Sequence, residues 1–93
     1  MDDKINGFVQ IPKAIAYDPK ISFAAKSVYM ILVGHCFDKD TCFPGIGRIS
    51  TILGCSKPTV IKAIKELQEN DYVVKHRRGN GISNVYEVKN IYW

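Results

Sequence analysis

The sequence predicts an α+β fold, mostly α: three to four helices, then a C-terminal β-hairpin, with a short strand at the N-terminus. Two observations carry this. Apolar residues recur at helical spacing as far as Leu67, and after Asn70-Asp71 the period changes to alternation. Asn80-Gly81 then separates two alternating runs, and both residues tolerate the positive φ that a tight hairpin turn requires. With 93 residues the chain suffices for one domain, 1–93, with a modest core.

Phe8-Val9-Gln10-Ile11 alternates and is halted by Pro12, so it reads as an edge strand or an extended lead-in. Lys13 to Tyr17 forms one helical turn or a short helix before Asp18-Pro19 breaks it. Ser22 is an N-cap type, and FAAKSVYMILVGHCF after it makes a helix of about four turns. Between Val28 and Val33 the Tyr29 hydroxyl is the sole polar group, so this helix is buried on more than one face. It belongs at the centre of the core, with its outer face as the surface for a dimer. Asp38-Lys39-Asp40-Thr41 is a polar loop, and Pro44-Gly45 marks a turn. The tail Asn90-Ile91-Tyr92-Trp93 ends on large apolar groups, which either pack back onto the core or mark a cut before a further domain.

The densest pattern runs from Phe43 to Asn70. A first helix spans roughly Ile46 to Leu53. Gly54 follows where a helix most often stops, because glycine reaches the left-handed conformation without a Cβ clash. Ser56 caps the next helix, and Pro58 sits in its first turn, where a missing N–H costs little. Val60, Ala63, Ile64 and Leu67 make one buried stripe, while Pro58, Lys62 and Lys65 point the other way, with Thr59 to one side. This is the layout of a helix-turn-helix, over about residues 45–69. YVVKHRR and ISNVYEVKN are the strands of a hairpin over about 72–89 that carries Arg77 and Arg78, a wing beside the second helix.

The net charge of +4 is unevenly spread. Residues 1–47 hold five lysines against five aspartates, whereas residues 48–93 hold eight basic residues against four acids. The excess coincides with the second helix and the wing, which points to a polyanionic partner. Three cysteines (Cys36, Cys42 and Cys55), with no secretion signal, argue against a disulfide framework. With no paired ligand spacing, they read as buried small hydrophobes and no metal site is expected. No apolar run approaches the ~20 residues of a membrane span, so the expected location is cytoplasmic. There is no phosphate-cradling glycine loop and no nucleophile motif, so neither an enzyme, a cofactor nor a small-molecule substrate is expected.

CFPGIGRISTILGCSKPTVIKAIKELQENDYVVKHRRGNGISNVYEV resembles the winged helix-turn-helix domains of bacterial, phage and plasmid replication proteins. The matching elements are Cys42-Phe43-Pro44, Leu53-Gly54, Ser56 to Val60, Leu67, and Asn84 to Tyr86. The lead FVQIPKAIAYDPKISFAAKSVYMILV resembles the start of plasmid replication initiators and DnaD-like replisome organisers. Together the two cover nearly the whole chain. Two departures stand out: Gly45 replaces the usual serine after Pro44, which weakens that N-cap, and Asn70-Asp71-Tyr72-Val73 replaces an Asn-Gly helix end. The resemblance implies sequence-specific binding of double-stranded DNA by the N-terminal DNA-binding and oligomerisation module of a replication initiation protein. A winged-helix transcriptional repressor and a protein-binding adaptor are the alternatives. A homodimer and other replisome proteins are the further partners implied.

The candidate contact residues follow. Ser56, Lys57, Pro58, Thr59, Lys62 and Lys65 enter the major groove from the start of the second helix. Arg48 on the preceding helix clamps the backbone. Arg77, Arg78 and Asn80 on the wing reach the backbone or an adjacent minor groove.

Overall fold

The computed structural model describes residues 8–36, 41–42, 44–76 and 85–89. In chain order the elements are α1 (Lys13–Ala16), α2 (Phe23–Cys36), β1 (Thr41–Cys42), α3 (Ile46–Leu53), α4 (Lys57–Glu69), β2 (Val73–His76) and β3 (Val85–Val88). The three strands form one antiparallel sheet in the order β1-β3-β2, with Val74 opposite Glu87 and Cys42 opposite Tyr86.

The predicted stripe of α4 is the inner face of the core. Val60, Ala63, Ile64 and Leu67 are all buried, and α4 packs on α2, whose Ala25, Val28, Tyr29, Leu32 and Val33 belong to the same core. Ile49 closes the core from α3, Ile15 from α1, and Val73, Tyr86 and Val88 from the sheet. α2 is covered on more than one side, as its apolar run requires: it packs against α4, α3, β1 and β3. Met30 nonetheless keeps 39% of its surface, and Phe23 at the start of the helix keeps 87%.

Polar groups in this core have partners. The buried Tyr29 hydroxyl donates to the Lys89 carbonyl at 2.7 Å, and its ring meets Tyr72 edge to face at 6.0 Å. That bond fastens the end of β3 to the middle of α2. Of the cysteines, Cys36 is buried and Cys55 is partly buried against the core.

Of the two readings of the N-terminal segment, edge strand or extended lead-in, the described residues 8–12 show no strand. Residues 8–12 lie outside the three-stranded sheet. The third strand is instead Thr41–Cys42, assigned from sequence partly to a polar loop. The reason is packing. Ile11 rests on the core, and a Cβ placed on Gly34 would lie 3.4 Å from the Val9 methyl. The lead-in is thus held by side chains against α2, not by a backbone ladder.

Candidate nucleic-acid interface

The start of α4 is built by local chemistry. Ser56 sits in the extended region (φ −78°, ψ 156°), and its Oγ accepts from the Thr59 amide at 3.3 Å. The same Oγ lies 2.8 Å from Thr59 Oγ1, so one hydroxyl of the pair donates to the other. The second hydroxyl hydrogen stays free to donate outward. Pro58 occupies the first turn, where its missing N–H leaves no bond unmade.

The turn before it is equally defined. Gly54 takes φ 69° and ψ 35°, and Ser50 O accepts from the Cys55 amide at 3.1 Å. This left-handed residue lets α3 and α4 meet through a three-residue connection, 54–56.

Beyond the cap, Lys57, Pro58, Ile61, Lys62 and Lys65 are all exposed; Pro58, Lys62 and Lys65 point away from the buried stripe, and Lys57 and Ile61 stand on its flank. Lys57 lies back across α3: its Cε is 3.5 Å from where a Cβ on Gly47 would stand. Arg48, the next residue of α3, is exposed as well. Among the described residues no carboxylate comes within ion-pair distance of Arg48, Lys57, Lys62 or Lys65; the pair that does form joins His76 to Glu87 at 3.2 Å.

The tight glycine turn, the capped second helix and the packing of both on α2 agree with a match to the family model of the helix-turn-helix domain over residues 20–73. The chain belongs to the helix-turn-helix domain family. The match runs through α2, α3 and α4 and ends on the first residue of β2. With the hairpin that follows, the fold of this helix-turn-helix protein is the winged form. A solved structure titled "N-Terminal domain of DNA binding protein" shares it, with a TM-score of 0.71, 22% identity, and coverage of 94% of this chain and 77% of that one. No curated protein matches the chain.

In this helix-turn-helix domain the six groove candidates of α4 and its cap, Ser56, Lys57, Pro58, Thr59, Lys62 and Lys65, are each exposed, as is Arg48 on the neighbouring helix. The wing candidates Arg77, Arg78 and Asn80 lie outside the described residues. The strands that lead to them, β2 and β3, pair in register from Val73 opposite Val88 to His76 opposite Val85.

Two features of this surface escaped the sequence reading. One is the fate of the acid among the lysines. Glu66 binds Ser22 at the start of α2 and not a lysine of α4: Oε2 accepts from the Ser22 amide at 2.7 Å and Oε1 from its hydroxyl at 2.6 Å. These two bonds hold the Glu66 carboxyl below its ordinary pKa, with a smaller contribution from the Lys62 charge. The second feature is Ile61, which keeps 57% of its surface beside three lysines. The helical wheel held the signal, since Ile61 falls off the buried stripe.

Proposed function

We propose that this chain binds double-stranded DNA in a sequence-specific manner, with α4 entering the major groove by its N-terminal half. The observation that carries this reading is the lysine face of α4: Lys57, Lys62 and Lys65 are exposed, unpaired with any described carboxylate, and set beyond a capped helix start. Ser56 and Thr59 offer a hydroxyl to phosphate, Pro58 lies against the groove wall, and Arg48 clamps the backbone. Arg77, Arg78 and Asn80 take the backbone or minor groove from the wing. The solved structure of like fold, titled as part of a DNA-binding protein, supports the same partner.

The finer role we propose is that of a DNA-binding and oligomerisation module in replication initiation. The support is the resemblance of the lead segment and of Cys42-Phe43-Pro44 to replication initiators and replisome organisers. In that role the protein works in the cytoplasm beside other replisome proteins. A second copy meets the outer face of α2, where Phe23 and Met30 stay exposed. Among the described residues no helix is long and apolar enough to cross a membrane.

The test is a titration of random-sequence duplex with the purified chain at several salt concentrations, followed by fluorescence anisotropy. Affinity that falls steeply with salt is the expected result. Absence of binding at low salt would sink the reading and leave a protein-binding winged helix in its place.

A further inference from the structure

Ile61 stands one turn from both Lys57 and Lys65 and next to Lys62, with 57% of its surface open. Its neighbours in the chain, Val60 below and Ala63-Ile64 beyond, are buried, so the exposure belongs to Ile61 itself. An apolar protein surface laid over Ile61 would have to bury the surrounding ammonium groups without partners, at high cost. A DNA duplex presents no such conflict. Its phosphates meet the lysines, and its major groove displays one apolar group, the 5-methyl of thymine.

We infer that Ile61 reads a thymine methyl in the major groove and is a specificity-determining residue of this surface. The inference rests on the DNA-binding reading above. Lys57, Lys62 and Lys65 set the depth and register of α4 against the phosphates. Ile61 has no donor or acceptor, so it tells bases apart by burying the methyl that thymine alone carries among the four. Pro58, exposed three residues earlier, extends the apolar contact.

The experiment starts from duplexes selected by the full chain out of a random pool. Each thymine of the selected site is then replaced by uracil, which differs only in lacking the 5-methyl. Replacement at one position should weaken binding about fourfold, the equivalent of ~0.8 kcal/mol for one methyl-sized group taken out of water. Ile61→Ala should bind the thymine and uracil duplexes equally while its salt dependence stays that of the parent chain. Because Ile61 is outside the core, circular dichroism of the variant should match the parent. A full thymine preference retained by Ile61→Ala, or a selected site indifferent to every uracil replacement, would overturn the assignment. Steep salt-dependent binding with no preferred sequence would also overturn it and leave phosphate binding intact. Failure to bind any duplex would remove the DNA-binding reading itself.

Discussion

Ser22 and Glu66 join the start of α2 to the end of α4: the Glu66 carboxylate, on the last turns of α4, accepts from both the amide and the hydroxyl of Ser22 ahead of α2. Ser22 Oγ in turn accepts from the Ala25 amide at 3.1 Å. A negative charge therefore rests at the N-terminus of α2, where the helix dipole favours it. The same contact commits Glu66 to Ser22 and not to a lysine of α4.

The pH dependence of stability follows from the lowered Glu66 pKa. The folded chain holds the carboxylate more tightly than the unfolded one, so the contribution is full above the ordinary value of 4.5 and is lost as pH falls through the folded value. Glu66→Gln should cost about 1 kcal/mol at neutral pH, a fall of roughly 4–8 °C in melting temperature for a domain of this size. The gap between parent and variant should shrink in acid below 4.5. Thermal melts followed by circular dichroism across that range check this. A gap that stays constant with pH would show that Glu66 acts by packing, not charge.

Asp71 is the left-handed residue that ends α4, at φ 62°. Around it the Tyr72 amide donates to Leu67 O at 2.9 Å and the Asp71 amide to Gln68 O at 3.2 Å, the paired bonds of a Schellman cap. Glycine adopts this conformation without Cβ crowding. Asp71→Gly should therefore stabilise the domain by about 0.5–1 kcal/mol, read as a rise in the denaturant midpoint with unchanged slope.

What was legible in the sequence was local. Gly54 and Ser56 each declare themselves within one turn of helix and the stripe from Val60 to Leu67 within about two, and each stands where expected. Asn70-Asp71 signalled a departure from the usual Asn-Gly ending, and the structure places the strain on Asp71. The illegible features join distant residues or lack a period. A two-residue strand such as Thr41–Cys42 has no alternation to detect. Phe8 to Ile11 does alternate, yet packing of Val9 and Ile11 decides its place. The bond from Ser22 to Glu66 spans 44 residues and leaves no local mark.

Gly45 precedes α3 in extended geometry (φ −74°, ψ 156°) and supplies no side-chain cap. A Cβ there would have nothing within 4 Å. Gly45→Ser should add the missing acceptor for the first-turn amides of α3 and restrict the unfolded chain. The expected gain is a few tenths to about 1 kcal/mol, a rise of several degrees in melting temperature. Gly45→Ala separates the two effects, because it restricts the unfolded chain without capping. Equal melting temperatures for the two variants would mean that the serine does not cap.

The lysines of α4 make the last prediction. If Lys62 and Lys65 each neutralise a phosphate, Lys62→Ala and Lys65→Ala should each lower the slope of log affinity against log salt by about one. Arg77→Ala combined with Arg78→Ala should lower it by up to about two if the wing also grips the backbone. Both lysines are exposed and off the buried stripe, so these changes should leave the stability within about 0.5 kcal/mol of the parent's. Lys75 on β2 is the comparison: it is half-buried and outside the proposed surface, so Lys75→Ala should leave the slope alone. Anisotropy titrations over a range of salt, on the same duplex for every variant, measure all four. Slopes that fall for Lys75→Ala but not for Lys62→Ala would move the DNA off α4 and onto the sheet.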